Sequence, residues 1–181
     1  MKSSSQNSGA EPIGFLIREA QPSDGKALNK YQKTSYETAK HLITRPSEFR
    51  MGVWRQRHWI SKKLISPVET CILAVVDDQI IGMLENWTDR RKRVTHSTSF
   101  AISVNEDWRC RGVGKALLSH FIDWVKKHPT LERIELHVHS DNHSAISLYK
   151  AANFQLEGTR RSVVKYDDGR IVDDHIMALW P

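Results

Sequence analysis

Hydrophobic positions in the first half of the chain follow two different periods. A short apolar run predicts a strand at 15–18. Apolar residues at helical spacing then predict two helices, the first after Pro22 and the second starting at Ser47. From Thr70 onward the spacing becomes that of strands. Three strands are predicted there, over 71–76, 80–84 and 95–104, with a turn at 77–79. The apolar stripe of the second helix is predicted to contain Phe49, Val53, Trp54, Ile60 and Leu64, and its other face is basic.

The second half of the chain alternates helix and strand. Gly112 and Gly114 open an amphipathic helix, and Pro129 ends it. Residues 133–138 alternate between apolar and polar, which is the period of a strand. The apolar side of that strand carries Ile134, Leu136 and Val138, and the polar side carries Glu135, His137 and His139.

The last part of the chain predicts one more helix and a closing set of strands. Asn142 is a good cap for the helix, and Asp168-Gly169 predicts a hairpin turn within the strand region 154–180. The full order is β, α, α, three strands, α, β, α and closing strands. This order predicts an α/β (α+β) protein with a central mixed, twisted sheet and helices on both faces.

Composition and charge narrow the class of protein. The chain has 181 residues, 39% of them hydrophobic and 27% charged, which fits one globular domain over 13–181 behind a flexible tail over 1–12. The net charge of +6 favours anionic partners without naming one. The longest apolar run, 71–76, is far shorter than the ~20 residues that a membrane-spanning helix needs, so no membrane segment is expected.

The polar N-terminus and the two cysteines predict a cellular compartment. The first ten residues lack the apolar core of a secretory signal. We therefore predict a cytoplasmic protein in which Cys71 and Cys110 are free thiols.

A glycine-containing segment lies between the strand that ends at Val104 and the helix that follows it. Backbone N–H groups at the start of a helix bind phosphate, and glycine lets an anion approach the main chain. Nearby positive charge comes from Arg109, Arg111 and Lys115. The spacing fits neither a Walker loop nor a dinucleotide-binding fingerprint.

The spacing Arg-x-x-Gly-x-Gly, from Arg109 to Gly114, resembles motif A of the GNAT N-acetyltransferase family, which grips the pyrophosphate of acetyl-CoA. The segment from Asn142 to Gly158 is similar to motif B of the same family and includes Tyr149 and Phe154. Asn153 stands where relatives usually carry glycine. Because asparagine tolerates a left-handed backbone, this departure leaves the fold expectation unchanged.

The resemblance extends from the first strand to the last and implies a reaction. GNAT enzymes transfer acetyl directly from acetyl-CoA to a primary amine, with neither a metal nor a protein nucleophile. A small amine or an amino acid is the expected acceptor, and a protein N-terminus such as that of a ribosomal protein is the alternative. The family also implies that the pantetheine arm lies between two splayed parallel strands. The implied cofactor-binding residues are Ile102, Ser103, Val104, Arg109, Cys110, Arg111, Gly112, Val113, Gly114, Lys115, Asn142 and Lys150.

Direct transfer needs two proton movements, because the amine must lose a proton and the thiolate must gain one. Tyr149 matches the family's helix tyrosine and is predicted to be the general acid. His137 is predicted to be the general base, because histidine as a residue type can accept a proton near neutral pH. Glu85, His96 and a water molecule stay open as alternative bases.

Other interpretations of the same residues remain. The basic segments 50–63 and 90–93 allow a nucleic-acid- or ribosome-binding module, although 90–93 lacks the interleaved aromatic residues that stack on bases. A CoA-binding sensor without catalysis is another alternative, and a homodimer is compatible with the family. A zinc site at His137, His139 and His143 is disfavoured because no cysteine lies near them. The acceptor wall is expected within 22–66, with Tyr31, Tyr36, Trp54 and Trp59 as candidates.

Overall fold

A computed structural model of the chain describes residues 14–181, so the predicted tail over 1–12 lies outside the described residues. Seven strands form one sheet in the order β1-β2-β3-β4-β5-β7-β6. The strands are β1 (Leu16–Glu19), β2 (Cys71–Val76), β3 (Gln79–Thr88), β4 (Ser97–Val104), β5 (Arg133–His139), β6 (Gln155–Lys165) and β7 (Ile171–Leu179). The α-helices are α1 (Gly25–Thr38), α2 (Val53–Leu64), α3 (Val113–Lys126) and α4 (His143–Ala151).

The sheet is mixed, as predicted. The pair β4–β5 is parallel, and the other neighbouring strands are antiparallel. One face packs against α3 and α4 around fully buried side chains such as Leu117 and Phe121. The other face packs against α1 and α2 around Leu28 and Ile60. Because burying one such side chain contributes about 1.5–3 kcal/mol, these two apolar layers hold the helices on the sheet.

The second helix differs from its sequence prediction. Residues 46–48 form one 3-10 turn, and α2 begins only after Gly52 because the chain is extended between them. The predicted apolar stripe is wrong: Trp54 is 75% exposed, whereas Ile60 is buried. The basic face is also incomplete, since Lys63 is buried.

Three predicted turns are confirmed by backbone angles. Asp77 and Asp78 have φ values of 44° and 62°, which are left-handed values suited to a tight turn between paired strands. Gly169 has a φ of 85° at the hairpin between β6 and β7. Asn153 has a φ of 68° just after α4, so asparagine supplies here the left-handed residue that the helix end requires.

The sheet opens between its two parallel strands, and this opening positions the site. Only Ser97–Ser99 of β4 pair with Arg133–Glu135 of β5. Farther along, Phe100–Val104 pair with β3 alone, and β5 pairs there with β7 alone. Unpaired backbone groups therefore line a slot between the carboxyl-terminal halves of β4 and β5.

Candidate active site

The loop from β4 to α3 brings the start of a helix to the open end of this slot. The Asn105 side chain accepts a hydrogen bond from the Asp107 amide at 3.0 Å, and a 3-10 turn follows over Glu106–Trp108. Cys110 and Gly112 then take left-handed backbone angles, with φ of 58° and 84°. The first N–H groups of α3 have no partner inside the helix, so they are free to bind an anion.

The cationic side chains of this loop lie at the surface. Arg109 is 3.9 Å from Glu106, and Arg111 lies over the Trp108 ring at 5.3 Å. Lys115 is exposed in the first turn of α3. Together these side chains place positive charge around the helix start, where a phosphate is stabilised.

The two glycines of the loop lie in different surroundings. A side chain at Gly112 would meet open space, so this position requires glycine for its left-handed backbone. A Cβ at Gly114 would lie 3.4 Å from Leu148 of α4 and 3.7 Å from Val104 of β4. Both distances are ordinary van der Waals contacts, so Gly114 lies against α4 and β4, but this packing alone does not require glycine there.

Tyr149 lies on the face of the sheet covered by α3 and α4. Its ring packs edge-on against Phe100 of β4 with centroids 5.8 Å apart, and it is 6% exposed. Burial raises the pKa of its phenol well above the usual value. Burial is the one cause of this shift, and no hydrogen bond joins the hydroxyl to a described residue. It is therefore a protonated, unpaired donor beside the unpaired half of β4.

A small pocket of about 50 Å³ lies on the opposite face, between α1 and the sheet. Among the described residues, Glu85 is the charged one that lines it, and the buried Oε1 atom of Gln32 has no hydrogen-bond partner there. Burial raises the pKa of the Glu85 carboxyl, Lys63 partly offsets this rise, and Glu69 adds to it. The remaining lining residues are Ser35, Tyr36, Leu42, Met83, Ala101, Ile102 and Ser103.

His137 lies on the same face as Glu85, across the slot. Its Nδ1 is 2.8 Å from the Asp174 carboxylate, and its side chain is 38% exposed. Asp174 is buried and also accepts hydrogen bonds from Arg160. Although burial favours a raised pKa, the hydrogen bonds from Arg160 and His137 hold the pKa of Asp174 below its usual range. This buried carboxylate orients the His137 ring.

Three other predicted residues lie away from the pocket. His96 precedes β4, and seven residues of extended strand, about 23 Å, separate it from the slot beside Ser103. Trp54 is exposed and stacks on His58, so it does not line the pocket. Lys150 is exposed on α4.

Two predicted residues hold local structure beside the slot. The Asn142 side chain caps α4 by accepting the Ala145 amide at 3.3 Å. The Tyr31 hydroxyl lies 3.0 Å from that of Ser103, which fastens α1 to β4. Both side chains therefore support the walls of the slot.

A polar cluster that the sequence did not reveal joins three loops near the pocket. Tyr166 donates a hydrogen bond to Asp141 at 2.9 Å and lies 2.9 Å from Nδ1 of His139. His41, after α1, lies 3.5 Å from the same Asp141 carboxylate. Its members are separated by up to 125 positions along the chain, so no local motif could have signalled it. Among residues 14–181, no three His, Cys, Asp or Glu side chains are grouped to hold a metal ion.

The sequence matches the acetyltransferase (GNAT) family over residues 29–154. The chain belongs to this family. An L-amino acid N-acetyltransferase of Escherichia coli K12 is 35% identical over 165 residues, which are 91% of this chain and 96% of that protein. A ribosomal-protein bS18-alanine N-acetyltransferase of the same strain is 39% identical over 83 residues, which are 46% of this chain and 55% of that protein.

A solved structure has the same fold as this chain. The crystal structure of a GNAT acetyltransferase from Streptococcus pneumoniae matches with a TM-score of 0.90 and 24% identity, and covers 93% of this chain and all of that one. The predicted fold is therefore confirmed. The GNAT chain is an acetyl-CoA-dependent N-acetyltransferase, which confirms the predicted family, enzyme class and cosubstrate. In the described part of this chain, no helix is long and apolar enough to cross a membrane.

Proposed function

We propose that this GNAT enzyme acetylates the α-amino group of a free amino acid. The L-amino acid N-acetyltransferase, which matches 91% of this chain, is named for that class of acceptor. The bS18-alanine enzyme matches less than half of this chain. The pocket of about 50 Å³ at the slot supports a small acceptor. The opening between β4 and β5 is the observation that carries the proposal, because Ala101, Ile102 and Ser103 line both the opening and the pocket. Val104, the next residue of β4, lies beside Gly114 at the start of α3.

Contacts across the pocket face also favour a small acceptor over a protein N-terminus. The connection from α1 to α2 reaches the β6–β7 hairpin through an ion pair between Arg45 and Asp167. His41 of the same connection lies 3.5 Å from Asp141 in the β5–α4 loop. These contacts bridge the face beside the pocket and reduce the room for a polypeptide.

The slot and the helix start fit acetyl-CoA. The unpaired backbone of Ile102, Ser103 and Val104 can bind amide groups of an extended arm as a neighbouring strand would. The loop Arg109–Lys115 can hold the phosphates through backbone N–H groups and positive charge. Asn142 and Lys150, at the start and near the end of α4, remain proposed cofactor contacts. When bound, acetyl-CoA supplies the acetyl thioester.

We propose Glu85 as the group that takes the amine proton. A protonated amine with a pKa near that of lysine, about 10.4, must be deprotonated before attack. Glu85 lines the pocket, and its raised pKa brings it closer to the working pH of a base. The expectation that His137 is the base stays a prediction, and the pH profile described in the Discussion separates the two.

We propose Tyr149 as the proton donor for the departing sulfur. Its hydroxyl is protonated, has no hydrogen-bond partner among the described residues and lies beside the unpaired part of β4. Because Tyr149 and Glu85 lie on opposite faces of the opened sheet, proton removal and proton delivery are separated by the slot.

A panel of acceptors tests the proposed substrate class. Release of free thiol from acetyl-CoA would be measured with L-amino acids, their D-enantiomers, polyamines, aminoglycosides and a peptide that begins with alanine. We expect turnover with L-amino acids and little with the peptide. Turnover with the peptide alone would favour the ribosomal-protein alternative. Thermal stabilisation by acetyl-CoA without turnover of any amine would indicate a sensor, and stabilisation by nucleic acid instead would indicate a binding module.

Substituting Gly112 with alanine tests the phosphate loop. A side chain at φ 84° costs about 1–2 kcal/mol, so we expect both the free energy of unfolding and the affinity for acetyl-CoA to fall. Calorimetry would measure both. Gly52→Ala is the matched control, because Gly52 also precedes a helix and faces open space but has a φ of −84°. Equal effects of the two substitutions would contradict the prediction.

A further inference from the structure

A buried lysine lies beneath the pocket and has no part in the proton transfers proposed above. Lys63 belongs to α2 and is only 7% exposed. Its Nζ donates a hydrogen bond to the backbone carbonyl of Asn86, the residue next to Glu85 on β3. The ammonium also lies 5.4 Å from the centre of the Trp59 ring. A buried charge is costly unless it is paired, so its partners must explain why it is there.

The ammonium is shared by two carboxylates. Lys63 Nζ is 3.2 Å from the Glu69 Oε2 atom and 3.8 Å from the Glu85 Oε2 atom. Glu69 lies in the connection from α2 to β2, and Thr88 of β3 donates its amide to the other Glu69 oxygen at 3.4 Å. One positive charge therefore faces two negative charges, and the closer one belongs to Glu69.

We propose that Lys63 and Glu69 are positioning residues for Glu85: the Lys63 ammonium holds the Glu85 carboxylate ionised at the pocket, and Glu69 competes for that ammonium. The inference rests on the proposed role of Glu85 as the base. The two residues act in opposite directions on the same carboxylate. Lys63 favours its ionised form, and Glu69 disfavours it by like-charge repulsion and by binding the shared cation.

The remaining groups that face Glu85 do not supply a competing charge. Tyr36 comes from α1, and burial followed by the Glu85 charge raises the pKa of its phenol. Cys71 of β2 is paired directly with Glu85 in the sheet, and burial raises the pKa of its thiol well above the usual value. Both groups are neutral at neutral pH. The balance at Glu85 is therefore set by Lys63 and Glu69.

The test follows the Glu85 carboxyl directly in the free protein. Glutamate carboxyl carbons would be labelled with 13C and titrated by NMR, and Glu85→Gln would assign the Glu85 signal. In Lys63→Met we expect the titration midpoint of Glu85 to rise by about one pH unit or more. In Glu69→Gln we expect the midpoint to fall. The acid limb of the kcat/KM profile should move in the same two directions.

Lys62→Met is the matched control, because Lys62 is the neighbouring exposed lysine of the same helix. In this variant the titration midpoint of the Glu85 carboxyl should equal that of the wild type. If Lys63→Met does not fold, the Glu69→Gln titration decides alone. An unchanged midpoint in Glu69→Gln overturns the inference. Midpoints that move as expected while Glu85→Gln keeps full activity support the electrostatic arrangement and instead contradict the proposed base.

Discussion

Glu85→Gln is expected to lower kcat/KM for the acceptor by about 100-fold or more, the range for loss of a general base. The amide keeps the size of the carboxyl but cannot accept a proton from the amine. Because burial raises the pKa of the Glu85 carboxyl, wild-type activity should fall as the pH drops through that raised value. The variant should lose this acid limb. Steady-state rates from pH 5 to pH 9 would measure both effects.

The melting temperature separates this loss from unfolding. A carboxyl whose pKa is raised in the folded state destabilises that state when it is ionised. The neutral glutamine should therefore not lower the melting temperature at neutral pH. Glu132→Gln, an exposed glutamate before β5, is the matched control and should leave the rate unchanged. His137→Gln should keep the acid limb. If that limb moves in His137→Gln and persists in Glu85→Gln, His137 is the base.

Tyr149→Phe is expected to lower kcat by about 10- to 100-fold while the Kd for acetyl-CoA stays unchanged. The expected loss is smaller than for Glu85, because a thiol with an ordinary pKa near 8.5 leaves as a thiolate without complete protonation. Single-turnover rates at saturating amine would measure the chemical step, and calorimetry would measure the Kd.

The Tyr149 hydroxyl has no hydrogen bond to lose among the described residues, and its ring contacts with Phe100 and Phe154 do not involve the oxygen. The melting temperature of Tyr149→Phe should therefore match that of the wild type. An unchanged kcat would remove the proposed role and leave Tyr149 as a core aromatic residue. A weaker Kd would instead place its hydroxyl in acetyl-CoA binding.

Local sequence patterns predicted most of the elements on which the site is built. The alternation at 133–138 predicted β5, and the buried side chains of Ile134, Leu136 and Val138 confirm its apolar side. The hydrogen bond that the Ala145 backbone N–H donates to the Asn142 side chain confirms that cap. These predictions succeeded because each depends on neighbours a few positions away, whose spacing is visible in the sequence. The predicted start of α2 at Ser47 was wrong, because a 3-10 turn and an extended segment precede the helix.

The sequence by itself determined the family, the order of strands and helices, and the left-handed residue at Asn153, since these depend on residue type and spacing. Only the tertiary structure decided which charges meet. It buried Lys63, which lies on the helix face predicted to be basic, between Glu69 and Glu85. The reason is physical: the cost of a buried charge and the pKa of a carboxyl depend on what packs around them in space. Those neighbours come from distant parts of the chain.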